Sequence, residues 1–228
     1  MVRLMLMVLS SLFVPLIALG QESTGTPAAS DEAQSTCVSV LLITDEGAGA
    51  NYDIRDASPS IQSQLDAFGW DITIAAPAET SARCGFATGA GLAAIKSDTV
   101  LADLTDLTNY DIVCLLPNQT GMASLTRDTT VLTLLNGAAE SGVIVAAWCK
   151  SVRVLAAAGL LKGLEVVGHA DYRDEYTAAG ATYLGNDHPP VTQGNIVTAV
   201  RSRYYRTAMC QAMKKAVTRA RRDRPDQR

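Results

Sequence analysis

Apolar runs that alternate with helical patterns limit the folds open to this 228-residue chain. Four runs are almost continuously apolar: VSVLLIT (38–44), WDITIAA (70–76), YDIVCLL (110–116) and VIVAAW (143–148). Between them, residues 58–68 and 128–141 carry apolar residues at helical spacing. Strands that are apolar on both faces are typical of a parallel sheet covered by helices. We therefore predict a doubly wound, mostly parallel α/β sheet with helices on both faces.

The second half of the chain continues the alternation. In order, we predict a helix over 151–161, a short strand over 165–168, a polar irregular segment over 171–186, a strand over 196–200 and a closing helix over 204–217. Ligands of such sheets bind at the carboxyl ends of the strands. Asp45, Pro117 and Cys149 follow strands and are expected at that edge.

The first 20 residues have the pattern of a secretory signal peptide: Arg3, an apolar stretch and a small-residue cleavage site at 18–20. The stretch is short for a membrane span, which needs ~20 apolar residues, and Pro15 interrupts it. We therefore expect a secreted or periplasmic protein with no permanent membrane anchor. Residues 21–36 are small and polar, which predicts a disordered leader.

One domain is expected over residues 37–217, followed by a basic tail over 218–228. Ten Lys or Arg and only two Asp follow Val200, although the whole chain carries a net charge of -4. Such a cluster can bind phosphates or anionic lipids. Because no aromatic residue lies near the last arginines and Asp223 and Asp226 interrupt them, we interpret the tail as a solvated end and expect no nucleic-acid partner.

Five cysteines make an odd number in a compartment where thiols tend to pair. Cys37 and Cys84 are expected to be free thiols, and a bridge between them is the alternative. Cys114, inside an apolar strand, is expected to be inert core. The chain has neither a CxxC motif nor a Cys/His cluster at zinc spacing, so we predict no metal site and no cofactor.

Cys149 stands where an apolar strand changes at once into a helix, in AAWCKSVRVL. At such a corner the helix macrodipole and free backbone amides favour the thiolate, which is the nucleophilic form. Ala146, Ala147 and Ser151 are small enough to allow the tight turn of a nucleophile elbow. The alternative is a buried structural cysteine, as at Cys114.

The segments AAWCKSVRVLAAAGLLKGLEVVGH and NIVTAVRSRYYRTAMCQAM resemble the ThiJ/PfpI superfamily, whose members have a flavodoxin-like, class I glutamine amidotransferase-like fold. The resemblance covers most of residues 38–217 and is most specific around the elbow. It implies that Cys149 is the nucleophile and that the protein is a homodimer. It also implies that His169 assists catalysis, because a histidine follows the short strand after the elbow helix in the deglycase-like branch.

The resemblance further implies a carboxylate at the start of the first helix that shares its proton with the thiolate. Glu46, Asp53 and Asp56 are candidates, and Asp56 is preferred because it lies nearest the predicted helix start. Asp56 is also suited to cap that helix. The chain departs from the family pattern at Lys150, where protease-like and chaperone-like members commonly have histidine.

A second departure follows the third strand, where LPNQTG replaces the family's Leu-Pro-Gly-Gly, whose glycine amide forms part of an oxyanion hole. Asn118 in this loop also begins a glycosylation sequon. The predicted catalytic residues are Cys149, His169 and Asp56. The predicted substrate-binding residues are Asp53, Asn118, Lys150 and Ser151.

Two functions remain open. The first is a cysteine-dependent hydrolase or lyase of the glyoxalase or deglycase type, in which Cys149 attacks a small electrophilic carbonyl or amide. The second is a non-catalytic module that binds a small molecule or senses redox state and keeps the fold and the exposed thiol. Lys150 and the altered loop favour the second; the elbow favours the first.

Overall fold

Helices and strands alternate in the computed structural model, which describes residues 37–45, 60–77, 82–83, 94–95, 97–117, 122–200 and 202–223. The helices are α1 (Ile61–Ala67), α2 (Thr129–Glu140), α3 (Val152–Ala157), α4 (Arg173–Ala178) and α5 (Ser202–Asp223). The strands are β1 (Ser39–Ile43), β2 (Asp71–Ala76), β3 (Ala82–Arg83), β4 (Ala94–Ile95), β5 (Thr99–Val100), β6 (Ile112–Leu115), β7 (Ile144–Trp148), β8 (Glu165–Val166), β9 (Thr182–Tyr183), β10 (Val191–Gln193) and β11 (Ile196–Ala199).

Seven of the described strands form one sheet in the order β10-β11-β7-β6-β1-β2-β5. All neighbours in it are parallel except β10, which pairs antiparallel with β11 at the edge. Two small pairs, β3 with β4 and β8 with β9, lie outside it. The chain runs from β1 through β2 to β5 at one edge and then returns to the other side of β1 with β6, and helices cover both faces. This confirms the predicted doubly wound α/β fold.

Alternating residues of one strand enter two different cores, one on each face of the sheet. In β1, Val40 and Leu42 pack in a cluster with side chains of α1 and α5. Leu41 and Ile43 pack in a second cluster with side chains of α2, α3 and α4. Both faces of the central strands are therefore buried, which explains their continuous apolar runs.

Local capping sets where the first two large helices begin. The Asp128 carboxylate accepts hydrogen bonds from the backbone N–H groups of Thr130 and Val131, at 3.0 and 3.1 Å, and starts α2. Ser60 Oγ accepts from Ser63 N–H at 3.0 Å and starts α1. Ser60 thus holds the capping position that was predicted for Asp56, which lies outside the described residues.

The segment predicted to be irregular, 171–186, contains α4 and β9 instead. The reason is that α4 is only six residues long and buries a single side chain, Tyr176, while its other positions are exposed and all but Ala178 are polar. One apolar residue in one and a half turns gives no helical period to detect. The elbow helix, predicted over 151–161, is correspondingly shorter and ends at Ala157.

The predicted basic tail is also partly ordered, since α5 continues through Asp223. Arg221 forms a two-pronged ion pair with Asp111, at 3.2 and 2.7 Å, and donates to the carbonyl oxygen of Cys37 at 2.7 Å. Arg221, within the segment interpreted as a solvated end, is therefore tied to the amino ends of the strands, whereas Arg219, Arg222 and Asp223 are exposed. Within the described ranges, no helix is both long and apolar enough to cross a membrane.

Candidate functional site

Cys149 is the residue at which the chain turns from β7 into a helix. Trp148 is still extended, whereas Cys149 has φ of +59°, and a short 3₁₀ turn over Cys149–Ser151 leads into α3. A non-glycine residue in this left-handed region is strained by about 1–3 kcal/mol. The side chain is partly exposed. The predicted elbow with a strained backbone is confirmed, while the role of Cys149 as nucleophile stays a prediction.

Ser151 holds the elbow together from inside. Its side chain is fully buried, and its hydroxyl oxygen accepts from Trp148 N–H at 3.1 Å. The same hydroxyl lies 2.7 Å from the carbonyl oxygen of Trp148 and 2.8 Å from that of Leu115, at the end of β6, and can donate to either. Ser151 was predicted to bind substrate, but its hydroxyl is occupied by these backbone groups.

His169 is joined to the elbow through its backbone. Its N–H donates to the carbonyl oxygen of Cys149 at 3.2 Å, so the segment after β8 lies beside the cysteine. The ring is partly exposed, and its Nδ1 lies 3.4 Å from both the backbone N of Asp171 and the Asp171 carboxylate. The structure therefore brings the backbones of Cys149 and His169 together, and Asp171 is positioned to orient the imidazole.

A row of side chains supports the outer side of His169. The ring of Tyr172 lies 5.9 Å from the imidazole, and the guanidinium of Arg153 stacks 4.2 Å above the centre of that tyrosine ring. Arg153 also makes two 2.8 Å hydrogen bonds to Glu175. Burial is the largest single influence on the pKa of Arg153 and lowers it. The hydrogen bonds to Glu175 and the nearby negative charges together outweigh burial, so the pKa is raised on balance. This row ties α3 to α4 next to His169.

Buried Asp45, at the end of β1, is paired with Ser124, a residue exposed on the surface. Asp45 is 2 % exposed, and its carboxylate accepts a hydrogen bond from Ser124 Oγ. Nearby in the chain, buried Met122 also has a positive φ, of 60°. Sequence reasoning placed Asp45 at this edge but missed Ser124 and the turn at Met122, for which Gly121 was the only local signal.

Tyr176 is a further polar residue that sequence reasoning missed. Its side chain is fully buried, and its hydroxyl has no hydrogen-bond partner among the residues that the structure describes. Burial raises the pKa of Tyr176 far above its usual value, and the charge of a Cys149 thiolate raises it further. The phenol therefore stays protonated and lies within electrostatic reach of the cysteine.

The remaining predicted residues are placed only in part. Lys150 lies in the 3₁₀ turn directly after Cys149 and is half-buried. Four of the residues proposed from the sequence as catalytic or substrate-binding candidates lie outside the described ranges: Glu46, Asp53, Asp56 and Asn118. Cys84 falls outside them as well, so its bridge to Cys37 stays untested. The Cys37 sulfhydryl lies 3.2 Å from the carbonyl oxygen of Gly69.

The geometry can support chemistry at sulfur. A partly exposed cysteine on a fixed turn can reach a small electrophile. A histidine whose backbone is bonded to that turn, and whose ring has an acidic neighbour, is a candidate to carry a proton. The short helix that follows the elbow contributes less macrodipole than a long one would. Proton transfer by neighbouring side chains is therefore the more important requirement for reactivity.

Solved structures with the same fold carry similar descriptions. DJ-1beta of Drosophila melanogaster superposes with a TM-score of 0.64 at 20 % identity, covering 82 % of this chain and 97 % of that one. A ThiJ/PfpI domain protein of Brachyspira murdochii gives 0.61 at 18 % identity, over 79 % and 94 %. No curated protein sequence matches this chain significantly.

A third similar structure is a two-domain protein of Anabaena variabilis with DJ-1/ThiJ/PfpI-like and ferritin-like domains. It superposes with a TM-score of 0.63 at 18 % identity, covering 80 % of this chain, which spans about half (48 %) of that protein. At these identities the likeness shows the fold. A sequence profile described as the DJ-1/PfpI family matches residues 60–215, which is more than half of the chain. The protein therefore belongs to the DJ-1/PfpI family.

Proposed function

We propose that this protein is a cysteine-dependent hydrolase or lyase that acts on a small electrophilic carbonyl or amide, with an α-oxoaldehyde as the model substrate. The observation that supports it most is the position of Cys149 on a left-handed elbow, where it is partly exposed and its carbonyl oxygen accepts a hydrogen bond from the His169 N–H. Strained backbone at an exposed nucleophilic side chain is characteristic of functional sites.

In the proposed reaction, the Cys149 thiolate forms a bond to the aldehyde carbon while the carbonyl π electrons move to oxygen. That oxygen takes up a proton, which gives a hemithioacetal. His169 or Asp56 then moves a proton between the two substrate carbons. Hydrolysis of the resulting thioester adds water and frees the thiolate. The aldehyde carbon is oxidised as the neighbouring carbonyl is reduced, so the reaction needs no external oxidant.

The test is the rate at which Cys149 is alkylated as a function of pH, together with consumption of phenylglyoxal. We expect an apparent pKa clearly below the ~8.5 of a free thiol. Cys149→Ser should abolish both signals and leave the fold intact. An alkylation rate that follows an ordinary thiol would rule out the enzyme.

The alternative function, a non-catalytic binding or redox-sensing module, is supported by Lys150 next to the thiol. It predicts that dilute peroxide oxidises Cys149 while phenylglyoxal is not consumed. Mass spectrometry of the intact protein after each treatment distinguishes the two functions.

We further propose that the protein is secreted or periplasmic and forms a homodimer. The apolar start of the sequence supports the first proposal, and the resemblance to the family supports the second. N-terminal sequencing of the exported protein should give a start near Gln21. Light scattering should give twice the mass of the chain, and a monomer would contradict the dimer.

A further inference from the structure

The hydroxyl of Tyr176 is a buried hydrogen-bond donor with no acceptor. The residue is fully buried in α4, and no described residue satisfies its oxygen. Leaving such a group unpaired is costly, and native proteins do so mainly where a function requires it. A leucine or phenylalanine at this position would fill the core without that cost, so the hydroxyl itself requires an explanation.

The hydroxyl lies against the backbone that joins β8 to the elbow. A Cβ atom on Gly168 would stand only 2.7 Å from the Tyr176 oxygen, so the phenol occupies the space that a side chain would take. The next residue, His169, donates its N–H to the carbonyl oxygen of Cys149 at 3.2 Å. Tyr176 therefore packs against the Gly168–His169 backbone, which is itself bonded to the elbow.

Electrostatics agree with this placement. Burial is the main cause that raises the pKa of Tyr176, the charge of Cys149 adds to it, and the His169 backbone amide opposes it. A phenol with a raised pKa keeps its proton at neutral pH. Neighbouring Tyr183 differs, because its hydroxyl donates to the carbonyl oxygen of Gly168 at 3.3 Å. The two rings lie 5.8 Å apart. Of these two neighbouring hydroxyls, that of Tyr176 has no hydrogen-bond partner among the described residues.

We propose that the hydroxyl of Tyr176 donates a hydrogen bond to the oxygen that becomes negatively charged when Cys149 adds to a carbonyl substrate. This inference rests on the proposed function and adds a catalytic residue to it. In this step the sulfur–carbon bond forms, the carbonyl π electrons move to oxygen, and that oxygen accepts the Tyr176 hydrogen bond until it is protonated. The donor compensates for the glycines that are missing from the LPNQTG loop.

Tyr176→Phe tests the proposal, because it removes one oxygen and keeps the ring. Tyr183→Phe is the matched control on the neighbouring ring. All proteins carry Cys37→Ser and Cys84→Ser, so that thiol reagents report on Cys149. We expect Tyr176→Phe to slow hemithioacetal formation with phenylglyoxal by about 100-fold, as for loss of one oxyanion donor. Alkylation by neutral iodoacetamide, which creates no oxyanion, should stay within about twofold in the same variant.

A second measurement does not depend on turnover. Iodoacetate converts Cys149 into a carboxymethyl adduct, which places an anionic oxygen beside the sulfur. We expect carboxymethylation to lower the melting temperature of Tyr176→Phe by about 2–4 °C more than that of the parent, the shift expected for one lost hydrogen bond. Tyr183→Phe should behave like the parent.

The outcomes separate the two proposals. If the parent forms no adduct with phenylglyoxal, the proposed function fails, and the carboxymethyl comparison alone decides the role of Tyr176. Equal melting shifts in Tyr176→Phe and the parent overturn that role. A variant that slows phenylglyoxal and iodoacetamide alike also overturns it, because a purely structural defect would affect both reagents.

Discussion

The middle of the sheet around Cys114 and its carboxyl end around Cys149 are built from neighbouring strands of similar composition. Cys114 lies inside β6, is fully buried, and pairs in register with Leu42 and Ala146. Burial raises the pKa of its thiol far above the ordinary value. Cys149 lies one residue beyond β7, with a left-handed backbone and a partly exposed side chain. The same residue type is therefore inert or accessible according to its place along the strand.

Buried polar groups follow the same division. Several of them collect at or near the carboxyl ends of the strands: Thr44, Asp45, Ser151, Thr198 and Tyr176. The strand interiors contribute mainly aliphatic side chains to both cores. Buried polar groups are tolerated where they hold irregular backbone or face a ligand. In the described fold, the carboxyl edge of the sheet therefore contains polar groups that can hold backbone or bind a ligand, whereas the strand interiors serve hydrophobic packing.

The largest expected effect is the difference in labelling between the two cysteines. In the folded protein, iodoacetamide should modify Cys149 at least about a thousand times faster than Cys114, which reacts only through rare opening of the core. Peptide mass spectrometry over time measures both rates. Comparable rates would mean that the sheet interior is open.

Gly168→Ala should be the most destabilising single-methyl change at the elbow. The added Cβ would meet the Tyr176 oxygen at 2.7 Å and its ring carbons at 2.8 and 2.9 Å. Overpacking of this kind costs about 1–3 kcal/mol of unfolding free energy. The matched control is Gly137→Ala in α2, where a Cβ meets nothing within 4 Å. It should stabilise by about 0.5–1 kcal/mol, as expected for alanine in an open helical position.

Urea unfolding of both glycine variants decides the comparison. We expect the unfolding free energy to fall in Gly168→Ala and to rise in Gly137→Ala. A fall in both variants would mean that replacing glycine is destabilising in itself, whatever surrounds the added Cβ. Gly168→Ala should also slow alkylation of Cys149, because displacement of Tyr176 disturbs the segment that is bonded to the elbow.

Ser151→Ala should loosen the elbow by a smaller amount. It leaves the buried N–H of Trp148 without its acceptor, which costs about 1–3 kcal/mol. The free energy of unfolding in urea should decrease by about 1–3 kcal/mol. The alkylation rate of Cys149 should change more than it does in an equally destabilised core variant such as Cys114→Ala. A rate that tracks stability alone would show that Ser151 is an ordinary core residue.

The smallest effect is a reversal of sign between the two cysteine positions. At position 149, where φ is +59°, the Cys149→Gly variant should have an unfolding free energy about 1 kcal/mol higher than that of Cys149→Ala. Glycine should be about 0.5–1 kcal/mol less stable than alanine at position 114, inside a strand. Unfolding free energies of Cys149→Gly, Cys149→Ala, Cys114→Gly and Cys114→Ala test this. The same sign at both positions would mean that the elbow is not strained.

Several features could be read from the order of residues alone. Continuous apolar runs between helical periods predicted the parallel sheet, because burial on both faces leaves that signature in every central strand. The corner at Cys149 was also predictable, since an abrupt change from strand to helix next to small residues is a local property. Family membership follows from the same stretch of sequence.

Other features were decided by contacts between distant residues. Tyr176 is a polar residue on a six-residue helix, and only the tertiary fold packs its hydroxyl against Gly168, next to the segment that is bonded to the elbow. The sequence predicted Arg221 to be a solvated charge. In the structure it lies on α5 and forms an ion pair with Asp111, which is 110 residues away in the chain. Ser151 was predicted to contact substrate, but in the structure its hydroxyl bonds to the carbonyl oxygens of Leu115 and Trp148. Sequence periodicity records which side of an element is buried, but the partner of a buried polar atom is chosen only when separate elements meet.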